Sequence, residues 1–124
     1  MANPANLTIN ELTSNGVIAM PAAQTIDTNG TLNCAVKSQT DRLKIELVNG
    51  AVNAITVTVK AGTGVQAHTS RDLAVVVPAT SSRVLGPLES ARFVKPDGSI
   101  DLQFQATSGS PNLAVRVYRL PANI

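Results

Sequence analysis

Apolar and polar side chains alternate strictly through residues 42–60. Leu43, Ile45 and Leu47 fall on one side and Arg42, Lys44 and Glu46 on the other; after Asn49-Gly50, Ile55, Val57 and Val59 oppose Thr56, Thr58 and Lys60. A period of two is that of a half-buried strand, and Asn-Gly accepts the positive φ of a tight reversal. The pattern predicts a β-hairpin with one dry face. Residues 99–106 alternate in the same way, with Ile100, Leu102, Phe104 and Ala106 against Asp101, Gln103 and Gln105. Leu73–Val77 is instead a continuous apolar run closed by Pro78, as expected of a strand buried on both faces. Shorter strand patterns lie near residues 7–12, 24–27, 31–37, 82–85 and 113–120.

Turn signals punctuate these segments: Asn15-Gly16, Asn29-Gly30, Pro96-Asp97-Gly98 and Ser108-Gly109-Ser110-Pro111. No window sustains apolar residues at the i, i+3, i+4, i+7 spacing of a helix. The expectation is an all-β chain, an antiparallel β-sandwich of jelly-roll or immunoglobulin-like type, with about eight to ten short strands and no substantial helix. Residues 1–12 read as an N-terminal arm or first strand, and 13–124 as a single sandwich domain, consistent with a chain of 124 residues.

Composition narrows the core. Aromatic residues are only Phe93, Phe104 and Tyr118, so Val, Ile, Leu and Ala must fill the space between the sheets. Net charge is +2, too small to argue for nucleic acid, but all ten basic residues lie from Lys37 onward. The first 36 residues carry Glu11 and Asp27 and are otherwise neutral and rich in Ala, Asn and Thr. Such a segment can lie against another protein with little cost for desolvating charge. Cys34 is alone, which excludes an internal disulfide, and its apolar strand setting predicts a small buried hydrophobe. No secretory apolar region opens the chain and no stretch reaches bilayer-spanning length, so the expectation is a soluble product made in the cytoplasm.

Reactive chemistry is sparse. His68 stands near Ser70 and Asp72, but triads are assembled from separated segments on a rigid frame, and this is one contiguous loop. One histidine and one distant cysteine do not make a metal site. Gly62-Thr63-Gly64 follows a strand but lacks the Walker pattern, and a turn is the better account. Asp97 and Asp101 flank a turn, where carboxylates do conformational work. Without Trp there are no stacking platforms for glycans or single-stranded nucleic acid. Arg83, Arg92, Arg116 and Arg119 could gather as a basic patch or lie scattered in ion pairs. The residues therefore point to a chain that is not an enzyme and uses no cofactor, metal, nucleic acid or membrane.

Five stretches carry a resemblance: Ala54-Ile55-Thr56-Val57-Thr58-Val59-Lys60-Ala61-Gly62, then Leu73-Ala74-Val75-Val76-Val77-Pro78-Ala79, then residues 83–93, then Asp97-Gly98-Ser99-Ile100, and the closing Ala114-Val115-Arg116-Val117-Tyr118-Arg119-Leu120. Over residues 42–120 this order resembles small β-sandwich capsid decoration, or head-stabilising, proteins of tailed bacteriophages and prophages. The resemblance implies a virion structural protein on the capsid surface. Many copies would bind the major capsid protein and self-associate, with a homotrimer as the candidate state. Leu7, Ile9 and Leu12 are then the candidate apolar contacts of the arm, and His68 and Arg71 a second contact on the loop. Two alternatives remain open: a surface module recognising a host glycan or protein, and a tail-associated sandwich domain.

Overall fold

In a computed structural model the described residues are 3–13, 16–36, 42–62, 71–88 and 90–120. They form an all-β fold with ten strands in two open, mixed sheets and one four-residue helix. The strands are β1 (Asn6–Leu7), β2 (Ile9–Glu11), β3 (Gln24–Ile26), β4 (Gly30–Cys34), β5 (Leu43–Asn49), β6 (Ile55–Val59), β7 (Leu73–Val77), β8 (Ser82–Leu85), β9 (Ile100–Ala106) and β10 (Leu113–Arg119); α1 is Ser90–Phe93. The first sheet runs β1-β4-β9-β6-β7, and the second runs β2-β10-β5-β8 with β3 beside β10. Without the two N-terminal strands, the order is β4-β9-β6-β7 facing β3-β10-β5-β8, antiparallel throughout. That is the strand order of a jelly roll, which decides between the two sandwich types expected.

The alternating segments supply the core as their period predicts. Leu43, Ile45 and Leu47 of β5, Ile55, Val57 and Val59 of β6, and Ile100, Leu102 and Phe104 of β9 are all buried. They meet Leu113, Val115 and Val117 of β10 between the layers in one aliphatic cluster, to which Phe93 and Phe104 add the aromatic volume.

The expected hairpin does not form. β5 pairs along its whole length with β10, from Leu43↔Arg119 to Asn49↔Leu113, whereas β6 lies in the other sheet between β9 and β7. Residues 50–54 are thus an arch between layers rather than a two-residue turn. Asn49 organises the arch from inside. Its Nδ2 donates towards the carbonyls of Asn53, Val77 and Pro78 at 2.9, 3.1 and 3.2 Å, and its Oδ1 accepts from the Ala51 N–H at 2.9 Å. Alternation reports which way side chains point, and a hairpin and an arch share it.

The expectation for Leu73–Val77 also fails. β7 is an edge strand: Ala74 and Val76 are exposed, Leu73 and Val75 half-buried, and only Val77 is fully buried. A run of β-branched residues suits an edge whose inner side closes the core as well as a central strand.

Residues 3–12 are laced into both layers. β1 runs parallel to β4 (Asn6↔Asn33, Leu7↔Cys34), and the chain changes sheet at Thr8, where β2 runs parallel to β10 (Val117↔Ile9 to Arg119↔Glu11). Strands this short make few ladder bonds, and side-chain amides substitute for them. Gln24 accepts the Thr8 N–H at 2.8 Å and donates to the Asn6 carbonyl at 3.0 Å. Asn3 accepts the N–H groups of Asp27 and Thr28 and donates to the Thr28 carbonyl. Arg119 donates to Glu11 Oε1 at 2.8 Å and to the Val36 carbonyl at 2.9 Å, tying β2, β10 and the end of β4 together. Leu7 is only 4% exposed, a member of the core cluster. Replacing Leu7 with Ala is expected to cost about 2–5 kcal/mol, the range for a buried leucine that leaves a cavity. Thermal or urea unfolding measures it; a contact used only on a partner would leave the midpoint unchanged.

Candidate interaction surface

The residues singled out for partner contact separate in space. Leu7 is core, Ile9 packs partly against the core, and Leu12 is half-buried with its N–H donating to the Arg119 carbonyl at 2.9 Å. Arg71 is exposed and its backbone is left-handed, with φ of 61°. His68 lies outside the described residues.

Arg71 and Asp72 are fixed by their backbone. Arg92, just inside α1, donates from Nε to the Arg71 carbonyl at 2.9 Å and from Nη2 to the Asp72 carbonyl at 3.1 Å. The Asp72 carboxylate accepts the Ala61 N–H and pairs with Lys60 Nζ at 3.0 Å. The Ala61 bond, with help from Lys60, holds its pKa below the ordinary carboxylate value. These groups hold the start of β7 against the end of β6; they leave no converging acid and base.

The turn at Pro96-Asp97-Gly98 forms as expected, with Gly98 at φ of 83° and its N–H donating to the Lys95 carbonyl at 2.9 Å. Asp97 Oδ1 accepts from both the Ser99 hydroxyl and the Ser99 N–H, which lowers its pKa. Asn33 donates to Ser99 Oγ and Asp101 Oδ1, and Lys95 closes the set on Asp101 at 3.1 Å. Every polar atom named here is occupied with conformational work. Among the described residues no three or more of His, Cys, Asp and Glu gather to hold a metal, and no helix is long and apolar enough to cross a membrane.

The four arginines do not form a patch. Arg119 is buried against Glu11, Arg116 donates to the Pro21 carbonyl and lies 3.8 Å from Glu46, Arg92 clasps residues 71–72, and Arg83 is exposed at the β8 edge. Cys34 is buried in the core on β4, paired in register with Leu7 of β1, and desolvation raises its thiol pKa from 9.0 to about 11, against a smaller lowering by the Arg119 charge. Gly62 is needed for close packing rather than phosphate: its N–H donates to the Arg92 carbonyl at 2.8 Å, and a Cβ there would run into the Val94 carbonyl.

What the exterior offers is apolar side chains on connections and edges. Val17 and Met20 are 93% and 80% exposed on the β2–β3 connection, and Val52 is 84% exposed on the arch. Val48, Val76 and Val84 stand out from the strands near β7 and β8. Sequence reasoning had no signal that exposes Val17 and Met20: residues 17–20 are a short apolar run between Asn15-Gly16 and Pro21, a pattern equally suited to a buried segment. On the outer face of the first sheet, Thr31, Gln103, Thr58 and Ala74 form one uncharged cross-strand row and Gln105, Thr56 and Val76 the next, while the row beyond holds Asn33 and Asp101, the latter paired with Lys95. No protein-family model, curated protein or solved structure matches this chain.

Gly62→Ala is expected to cost about 1–3 kcal/mol, the range for overpacking a tight contact, read as a lowered urea midpoint. The thiol supplies a pH signature. Its folded pKa is raised, so its contribution is complete below the unfolded value of 9.0 and is lost as pH climbs through about 11. At about 1.36 kcal/mol per unit, the loss above that pH is about 2–3 kcal/mol. Urea titrations from about pH 8 upward should show this alkaline decline in the wild type and a shallower one in Cys34→Ala.

Proposed function

We propose that this chain is a virion structural protein: a decoration, or head-stabilising, protein that binds the major capsid protein on the outer surface of a tailed-phage head and self-associates there. The observation that carries the reading is the β2–β3 connection. Residues 12–26 contain no charged side chain, and Val17 and Met20 project from them almost fully exposed. The Arg116–Pro21 bond staples the connection to the outer face of the second sheet. Covering such a surface desolvates no charge and buries two large apolar side chains. With Leu7 and Ile9 engaged in the fold, the apolar contact passes to Val17 and Met20, with Leu12 at the base. Weak identical contacts repeated over a symmetric shell add up through multivalency. The jelly roll is an architecture used by capsid and lectin domains, which agrees with the reading without carrying it.

The two uncharged Thr- and Gln-lined rows on the first sheet favour a second reading, a surface module that recognises a host glycan or protein. Purified protein mixed with emptied, expanded heads decides between them. Decoration gives saturable binding at a symmetry-fixed copy number and shells more resistant to heat; host recognition gives binding to cells or glycans and none to shells. Val17→Asp with Met20→Asp should weaken shell binding at least tenfold, since each buried apolar side chain contributes about 1.5–3 kcal/mol. The melting temperature should stay within a few degrees, because both positions are exposed.

A further inference from the structure

Two open sheets have four edges, and three of them are closed to further pairing. β1 is two residues long and preceded by Pro4. β2 and β3 are three residues each, separated by a connection that contains Pro21. β8 carries Arg83 opposite buried Leu47, so a charge sits on the core side of that edge. Short strands, prolines and inward charges are the usual means by which proteins blunt an edge.

β7 is longer than any of these and carries no charge, and its one nearby proline, Pro78, lies just past its end. Its five residues are Leu-Ala-Val-Val-Val, and no described strand pairs its outer side. The strand is also held straight at both ends. Arg92 and Asp72 fix its start, and the Asn49 amide reaches the carbonyls of Val77 and Pro78 at its finish. Among the described residues, the two non-glycine residues with left-handed backbone, Arg71 at φ 61° and Thr80 at φ 52°, flank it on either side. Backbone strain of this kind persists only where the surroundings over-determine it. The edge is therefore pre-organised rather than frayed, which lowers the ordering cost of adding a strand.

We infer that β7 pairs with β7 of a second copy of this chain, antiparallel about a two-fold axis at Val75, joining the two first sheets into one. The sequence of the strand fits itself in that register. Leu73 meets the second copy's Val77 and Val75 meets Val75 on the core side, while small Ala74 meets branched Val76 on the outer side. No like charges face each other, and Pro78 ends the ladder. The neutral Thr/Gln rows of the outer face then continue across the junction. A partner strand of another protein would satisfy the same backbone groups; self-complementarity is what favours a second copy, since an isologous contact needs one patch to match itself. An interface of this size is weak and reversible. The inference gives the self-association proposed above a surface and rests on that part of the reading alone.

Sedimentation equilibrium of the full chain tests it, without shells, so its failure and that of capsid binding are separable. The wild type should show a concentration-dependent rise to the mass of two chains. Ala74→Lys with Val76→Lys places like charges opposite each other twice and should weaken association at least tenfold, whereas Ala74→Lys with Val76→Glu places opposite charges there and should restore it. Val76→Lys alone, at a side chain already 55% exposed, gives a second measure of the loss should the double-lysine chain not fold, as thermal melts will report. A single-chain mass at every concentration, a three-chain particle, or equal association of the Lys/Lys and Lys/Glu chains would overturn it.

Discussion

The structure depends on a chain that changes layer at almost every connection. From β3 to β10 only the β6–β7 link stays within one sheet. Each strand therefore offers its apolar side to partners remote in sequence, and the core closes only when β10 lies between β5 and the β2/β3 pair while β9 lies between β4 and β6. β10 is the strand on which this turns: its inner residues Leu113, Val115 and Val117 are fully buried, and its edges take strands from the beginning and the middle of the chain. Pairing of this range is slow to form and strongly cooperative once formed. Loss of a single inner contact is accordingly felt by both sheets.

That constraint explains which parts of the fold were legible in the sequence. Alternation identified the inward positions of β5, β6 and β9 residue by residue, because a period of two is a local property of the backbone. It could not name the partners. Asn49-Gly50 has the composition of a hairpin turn, yet Asn49 is 2% exposed and acts as a hydrogen-bonding hub beneath an arch. What selects the arch is the seven-residue register between β5 and β10, whose partners lie 64 to 76 positions apart in the chain. The run at Leu73–Val77 misled for a related reason. β-Branched residues report fitness for a pleated strand, and whether a second sheet covers the other side is settled by topology.

The N-terminal segment shows how a compositional feature can have a structural cause. Its near lack of charge looked like preparation for a protein surface. Much of it serves instead to splice short strands into the sandwich. Asn and Gln carry a donor and an acceptor on one amide, as the backbone does, and here Asn3, Asn10, Gln24 and Asn29 bond to main-chain groups of neighbouring segments. A Lys or Glu could supply only half of that pattern. The neutral stretch not used in this way is the connection holding Val17 and Met20, where these side chains meet solvent rather than the core.

Reactive side chains follow the same logic. Cys34 is buried in the core, Asp72 and Asp97 stabilise the ends of strands, and Arg119 anchors the meeting point of β2, β10 and β4. Each is committed before any ligand arrives, and such commitment makes a rigid body. Among the described residues, the surface left uncommitted includes two uncharged rows of the first sheet, exposed valines and the β7 edge. Such features suit contact with other polypeptides through shape and main-chain bonding, which is what the structural role proposed above would require of them.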